Sequence, residues 1–558
     1  MQYPTGLLCD TFALRIHSFE TPMTTADSRR LLSELIARRR PGHSLEQAFY
    51  TSREVFEADL RLIFGRHWIY VGVEAEIPHA GDVMTVEIGS ASVLIVRDDD
   101  ERIHAFHNVC RHRGARLVQT AHANVGNLVC PYHAWTYGLD GKLRFANHMG
   151  RDFDKSCHGL KPVHVRSISG LLFICLSSQP PADIDELDAV MAPYLRAHGL
   201  RDCKVAHSTE LIEHGNWKLT MENNRECYHC LANHPELTVS LSAHHFGFQP
   251  ESLNESERAQ VKVYEQMVKQ VQGQWEACGL PSGEVEHLDD RITGYRTERL
   301  PLDQSGQSQT LDTLAASRRL LGSFTDAKSG GLHFWTQPNS WHHFMSDHVV
   351  TFAAIPIGPE STLLRTKWLV HKDAVEGVDY DVRNLTAVWE ATNRQDAHLV
   401  ELAQTGARSP AYEGGPYSPH TEGLVEKFSS WYIGRLAAEL EVQAPATESR
   451  VSVPVAEAVV ASPTVARAAP VEQFTIQFSR SGRSISCAAD TFILTAANAA
   501  GVRLPCSCTK GMCGTCKSKL VSGTVQMSPN GGIRQREIDQ GMILTCCSRP
   551  TSDLVIDR

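Results

Sequence analysis

Three groups of residues could do chemistry. In the first, Cys110 and His112 are separated by one residue, and after seventeen more residues come Cys130 and, three positions on, His133. Two thiolates and two imidazoles delivered as C-x-H and C-x-x-H suit a Rieske-type 2Fe–2S centre. The thiolates hold one iron and the imidazoles the other, which raises the potential above that of an all-thiolate cluster. A structural zinc site uses the same donor set, but zinc modules usually place one ligand pair on a helix, and here both pairs fall among short strand patterns. The second group is Cys508-x₄-Cys513-x₂-Cys516, then twenty-nine residues and Cys546. This is the spacing of a plant-type 2Fe–2S ferredoxin with four thiolate ligands. Ser507, Gly511 and Gly514 are small enough for the loop to wrap a cluster and aim N–H groups at sulfur, while Cys506 and Cys547 read as bystanders.

The third group is sparser. His229 and His234 lie five apart, on and just beyond a helical pattern, and a distant helical segment supplies Asp396. Two imidazoles and one carboxylate form the facial triad of non-haem Fe(II) oxygenases, with positions left open for O₂ and substrate. Two histidines among twenty-seven could also be ordinary polar residues, and Cys227 and Cys230 with the same histidines could form a zinc knot. The two electron-transfer clusters favour iron, because the electrons need a destination.

The elements around these residues divide the 558-residue chain. Residues 1–45 read as an N-terminal arm. Its helix, 28–40, spaces Leu31, Leu32, Leu35 and Ile36 on one face and stops at Pro41-Gly42. Met23 closely precedes it, so the first 22 residues read as an upstream extension. Residues 46–180 hold short alternating strands (83–88, 93–97, 103–107, 128–130, 135–139) punctuated by turn signals, an all-β pattern. Residues 181–440 mix helices at 185–197, 258–272 and 382–405 with strands at 332–336, 349–355 and 363–369, an α+β pattern. Residues 441–470 are Ala, Val, Pro and Ser without period and read as a tether. In residues 471–558, segments 474–478 and 483–487 read as a hairpin and 491–500 as a helix ended by Gly501.

Composition narrows the class. The net charge of −10 gives no reason to expect a nucleic-acid partner, and no run of about 18 uncharged apolar residues suggests a membrane span. The N-terminus lacks the basic-then-apolar order of a secretory signal. Sixteen cysteines, six of them between 506 and 547, point to metal before disulfides, and a cytoplasmic protein is the expectation.

Over residues 44–440 the chain resembles the α subunits of Rieske non-haem iron oxygenases. CRHRGARL and CPYHAWTYGLDGKL look like the two Rieske loops, NWKLTMENNRECYHCLANH like the catalytic-iron segment, and QDAHLVELAQTG like the segment carrying the third iron ligand. The tail resembles the ferredoxin module of the flavin reductases that serve such enzymes. The resemblance implies a multidomain fold: an all-β Rieske domain, an α+β helix-grip catalytic domain, and a C-terminal α+β ferredoxin domain of β-grasp type. It implies His229, His234 and Asp396 as iron ligands, Glu226 as the acidic residue that bridges to a Rieske histidine of a neighbouring subunit in a head-to-tail homotrimer, and Asn223 as a further catalytic candidate. Glu at position 226, in the run E-C-Y-H-C, resembles enzymes that demethylate glycine betaine, stachydrine or carnitine. Aromatic-ring dioxygenases typically carry Asp there.

The expected activity is therefore hydroxylation and N-demethylation of a small quaternary ammonium compound with release of formaldehyde. An aromatic-ring hydroxylase or O-demethylase with the same metals is the alternative. A trimethylammonium group cannot be hydrogen-bonded, so aromatic faces should receive it; Trp335, Trp341 and Phe344 are the candidates. Neither a flavin motif nor a Gly-rich nucleotide loop precedes residue 471, so NAD(P)H oxidation would belong to a separate flavin-dependent reductase. Residues 471–558 carry ten Lys/Arg against six Asp/Glu, or +4, and residues 441–470 carry two against three, or −1, leaving −13 for the remainder. A basic ferredoxin docking on an acidic oxygenase body is the electrostatic expectation.

Overall fold

The computed structural model describes residues 26–242, 253, 255–442, 472–502, 504–506 and 511–558. The first 22 residues, most of the tether, Ser507 and Cys508 lie outside them. The chain divides into two compact units, one of residues 1–78, 86–93 and 163–443, the other of residues 79–85, 94–162 and 444–558.

The first unit is organised by a seven-stranded antiparallel sheet. Its order is Cys203–Glu213, Ser361–His371, Val349–Gly358, Ser340–Phe344, Gly331–Thr336, Tyr295–Leu300 and Val285–His287. The strand alternation splits its residues between two faces. Leu332, Phe334, Phe344, Val349 and Leu369 point to one side and join Ile184, Leu187, Met191 and Leu195 of the helix Ile184–Arg196 in one buried core. The neighbours in between, His333, Trp335 and His343, point to the other side, where the site lies. The 26-residue helix Val382–Ala407 packs along Cys203–Glu213. Asp381 caps its start, its carboxylate accepting from the N–H groups of Arg383 and Asn384.

The N-terminal helix, Ala26–Ala37, is part of this unit rather than a free arm: Leu32 and Leu35 are fully buried. Deeper still, Lys218 and Asp59 form an ion pair at 2.5 Å with both side chains at zero exposure. Tyr432 and Trp217 donate to the same carboxylate at 2.6 and 2.9 Å. This knot fastens the start of the segment that leads to the iron-site histidines.

In the second unit, residues around 110 and 130 sit on two loops beside the small sheet Leu128–Val129, Thr136–Tyr137 and Leu143–Phe145. Its C-terminal part is a five-stranded mixed sheet that includes the hairpin Gln473–Phe478 and Arg483–Ala488 and a parallel pairing of Gln473–Phe478 with Leu554–Asp557. The helix Ile493–Ala499 covers it, with Ile493, Leu494 and Ala497 buried.

Candidate functional site

The segment from Asn216 to His234 builds most of the first site. Asn216 caps the helix Trp217–Asn223, its side chain accepting from Lys218 N–H at 3.1 Å. After this helix comes a four-residue helical turn, Cys230–Asn233, with His229 as its N-cap and His234 as its C-cap. The five-residue spacing therefore spans one turn, with the imidazoles 4.9 Å apart and at 83° to each other. The helix Val382–Ala407 brings Asp396 to them. Its Oδ1 lies 3.3 Å from His229 Nε2 and 3.0 Å from His234 Nε2.

Each ring is held from behind. His229 Nδ1 lies 2.6 Å from Glu226 Oε1, and His234 Nδ1 lies 2.8 Å from Gln395 Oε1. Gln395 in turn donates through Nε2 to Glu236 at 2.8 Å. A carboxylate can only accept, so the amide nitrogen must face Glu236 and the amide oxygen must face His234. Both histidines thus donate from Nδ1 and present the Nε2 lone pair forward, as a metal-ligating imidazole requires. Sequence reading found Glu226 but missed Gln395. Its only signal was adjacency to Asp396, and neighbouring helical residues point about 100° apart.

The charges fit a cation. Burial pushes the Asp396 carboxyl up, and the His229 and His234 imidazoles beside it more than offset this, holding it below the usual carboxylate range. His234 Nε2 and Asp396 Oδ1 are buried and make no hydrogen bond of sound geometry despite their closeness. Two such orphaned atoms facing one point, with His229 beside them, fit the donor set of a mononuclear iron. Cys230 Sγ lies 4.0 Å from His229 Nε2, but Cys227 and Cys230 are joined as a disulfide, so a zinc knot lacks its thiolates.

A cavity of about 530 Å³ opens from these ligands. Asn223, Glu226 and Trp335 line it, as do Trp389, Arg296 and Glu298, which sequence reading did not single out. Trp341 and Phe344 lie elsewhere: Phe344 points into the core on the opposite face of the sheet, and Trp341 stacks on Phe352 at 5.0 Å outside the cavity lining. The cavity wall carries five acidic residues (Glu226, Glu284, Glu286, Glu298, Asp396) and three basic ones (Arg225, Arg296, Lys427). Arg296 pairs with Glu284 at 3.0 Å and with Glu298, and its guanidinium lies 5.0 Å from the Trp335 ring centre. Trp389 stacks on His343 at 4.3 Å.

The second unit holds the other donors in two matched loops. Cys110 N–H donates to Ala115 O and Gly114 N–H to Cys110 O; Cys130 N–H donates to Trp135 O and Ala134 N–H to Cys130 O, all at 2.8–3.0 Å. The fifth residue of each loop, Gly114 or Ala134, takes the left-handed conformation, with φ +75° and +56°. The repeated turn brings His112 and His133 together, Nδ1 to Nδ1 at 3.1 Å, above the buried Cys110 and Cys130. Tyr137 OH lies 3.3 Å from Cys110 Sγ and accepts from Arg111 N–H at 2.9 Å. Two buried thiols and two paired ring nitrogens on matched loops fit a Rieske donor set.

In the C-terminal region Cys513, Cys516 and Cys546 share one loop cluster, and Cys508 lies outside the described residues. The Cys516 thiol is pushed well up by its hydrogen bond with Cys546 and by burial. Gly511 N–H donates to Cys546 Sγ at 3.3 Å. Gly511 must be glycine on two counts: its φ is +70°, and a Cβ there would meet Cys547 Sγ at 2.8 Å. These residues fit a thiolate-held cluster.

Residues 67–163 match the Rieske [2Fe-2S] domain family, residues 200–438 the ring hydroxylating alpha subunit (catalytic domain), and residues 476–551 the 2Fe-2S iron-sulfur cluster binding domain. The chain is 43% identical over 433 residues to the glycine betaine monooxygenase oxygenase subunit of Chromohalobacter salexigens, covering 77% of this chain and 94% of that protein. It is 41% identical over 415 residues to the glycine betaine monooxygenase oxygenase subunit of Pseudomonas aeruginosa, covering 74% and 94%. Among solved structures, the quaternary ammonium Rieske monooxygenase CntA in complex with L-carnitine matches with a TM-score of 0.53 at 21% identity, over 72% of this chain and 98% of that one. Naphthalene 1,2-dioxygenase from Rhodococcus sp. matches with a TM-score of 0.53 at 18% identity, over 74% and 99%. At these identities the two structures speak for a shared fold alone.

Proposed function

This chain belongs to the α subunits of the Rieske non-haem iron oxygenases, and from that premise we propose that it N-demethylates a small zwitterionic quaternary ammonium compound of the glycine betaine type. The observation that carries the reading is the cavity beside His229, His234 and Asp396. A ring hydroxylase acting on an apolar arene needs apolar walls. Here, apart from Glu226 and Asp396 beside the histidines, three carboxylates and three cations line the described wall, and the tryptophan rings of residues 335 and 389 stand among them. Trp335 already receives the Arg296 guanidinium, so its ring accepts a cation. Glu284 and Glu298 pair with Arg296 and Glu286 pairs with Lys427, so a zwitterion would enter by exchanging these pairs, its ammonium beside a carboxylate and its carboxylate on Arg296 or Lys427. The relatives named for glycine betaine support the same choice.

His229, His234 and Asp396 would hold an Fe(II), which would supply O₂ activation when bound. The chain's own residues do the rest. Glu226 and Gln395 fix the two rings, and the cavity wall orients an N-methyl group toward the triad. Overall, one methyl carbon gains one oxygen atom from O₂, two electrons and two protons convert the other to water, and the N⁺–CH₂OH product loses its hydroxyl proton and breaks its C–N bond, the bonding pair staying on nitrogen, to give formaldehyde and the tertiary amine. Cys110, His112, Cys130 and His133 would hold one 2Fe–2S cluster and Cys508, Cys513, Cys516 and Cys546 another, which would supply electron relay from a separate NAD(P)H-dependent flavoprotein. We place the working enzyme in the cytoplasm as a homotrimer, with Glu226 as the bridge toward a neighbour's Rieske histidine.

Oxygen uptake with an added flavin reductase tests the reading. Glycine betaine should be consumed with one formaldehyde per O₂, with carnitine and stachydrine as comparators. Uptake with benzoate-type acids and none with any quaternary ammonium compound would overturn it.

A further inference from the structure

We propose that residues 124–127, together with Gly81 and Asp99, form a built docking surface for the chain's own C-terminal ferredoxin lobe, which they hold through Arg534 and the backbone at Met512. The inference rests on the relay role given above to the two cluster-binding regions, and it names the surface that joins them.

Four consecutive residues take part. Arg536 donates to Asn124 Oδ1 at 2.8 Å, Arg534 donates to Val125 O at 2.9 Å, and Asn127 Nδ2 donates to Met512 O at 2.5 Å. Arg534 also pairs with Asp99 and keeps only 11% of its side chain exposed. The fourth residue, Gly126, contributes by having no side chain: a Cβ there would lie 2.3 Å from Gly531 O. A Cβ on Gly81 would sit 2.4–2.6 Å from the Arg534 guanidinium. Backbone therefore meets backbone, which a loose electrostatic encounter does not need. The charge balance read from sequence contributes one ion pair, and shape with hydrogen bonds contributes the rest.

The position of the contact gives it purpose. Asn127 precedes the ligand Cys130 by three residues, and Met512 directly precedes the ligand Cys513. Their hydrogen bond ties one cluster-binding loop to the other. With both clusters bound, a single electron passes from the reduced ferredoxin centre to the oxidised Rieske centre, with no bond made or broken.

Gly126→Ala is the selective test. Gly126 is not in the left-handed region, so alanine suits its backbone and disturbs only the approach of Gly531. Arg534→Glu provides an independent lesion. In the full-length loaded protein, each variant should widen the small-angle scattering profile through release of the lobe. Each should also slow ferredoxin-to-Rieske electron equilibration, followed by stopped-flow absorbance, by roughly tenfold or more. Both clusters should keep their spectra, and chemical reduction of the Rieske centre should proceed at the parent rate. Unchanged scattering and unchanged transfer in both variants would overturn the proposal. Formaldehyde release from chemically reduced protein is scored separately: its absence counts against the demethylase reading and leaves the docking result standing.

Discussion

Gln395→Leu removes the one contact that fixes His234 from behind. The His234 side chain is 1% exposed, so its Nδ1–H would face leucine with no water to replace the amide oxygen. A buried donor left unpaired costs about 1–3 kcal/mol. The ring can escape part of this by moving its proton to Nε2, which destroys the lone pair that faces Asp396. Either way the loss falls on metal binding, and partners of this kind carry roughly 10- to 100-fold in affinity. The assay is titration of iron-free catalytic sites with Fe(II) in protein whose two clusters are intact by absorbance, followed by metal analysis. The variant should lose about one iron per chain after gel filtration and keep both cluster spectra. Gln395→Glu retains an acceptor, although it sets a second carboxylate against Glu236, and should hold iron better than the leucine variant. Iron bound by Gln395→Leu as tightly as by the parent would refute the reasoning.

Two further predictions concern stability. His67 is fully buried, donates from Nδ1 to Ile63 O at 3.0 Å, and is pushed down to about 4 by burial, which its hydrogen bonds only partly oppose. The unfolded chain takes up this proton below about 6.5 and the folded chain does not, so the contribution is complete above that pH and is lost as pH falls toward 4. His67→Phe should therefore lose less stability than the parent between pH 7 and pH 5, by about 2 kcal/mol in urea melts; parallel pH profiles would count against it. Lys218→Met leaves the Asp59 carboxyl buried without its cation, with Tyr432 and Trp217 as donors, and should destabilise the first unit by about 3–5 kcal/mol. A fall of less than 1 kcal/mol in the same melts would show that the pair is dispensable.

The ligands were legible in the sequence because their spacing is the chemistry. C-x-H and C-x-x-H are each set by a loop that closes within six residues, and the structure folds Cys110–Ala115 and Cys130–Trp135 into such loops, whereas Cys508 of C-x₄-C-x₂-C lies outside the described residues. The strands at 332–336 and 349–355 were legible too, as apolar β-branched and aromatic runs, and 363–369 was legible despite Arg365 and Lys367 through Leu363, Leu364, Trp368 and Leu369. Cys203–Glu213 and Tyr295–Leu300 were not, because charged residues interrupt them: Lys204, His207, Glu210 and Glu213 in the first, Arg296, Glu298 and Arg299 in the second. The second of these supplies the cavity's charged wall. The pocket aromatics were read half right for a geometric reason. Trp335 and Phe344 belong to paired strands, but Phe344 has the parity of Phe334 and points to the core. Trp389 and Gln395 come from a helix some fifty residues beyond those strands, and no local period announces that a helical residue will face a sheet's cavity.

The two iron-site histidines are supported asymmetrically, and this bears on how the site assembles. Glu226 stands three residues before His229, so that contact can form within a single turn of chain. The support for His234 comes from Gln395, 161 residues away, and the third ligand is the next residue, Asp396. Half of the site therefore exists only once the helix Val382–Ala407 has docked. What sets its depth is Gly215, immediately before the capping Asn216. A Cβ at Gly215 would lie 2.4 Å from Val400 Cγ1. Asn216 N–H donates to Gln404 Oε1 at 2.9 Å, and Thr362 Oγ1 donates to Gly215 O at 2.8 Å. The helix is thus clamped one to two turns beyond Asp396 against the same strand-to-helix corner that launches the histidine segment. On the proposed iron site, metal affinity and tertiary docking would be linked: the packing of helix on corner places Asp396 and Gln395, and an iron held there would stabilise that packing in return.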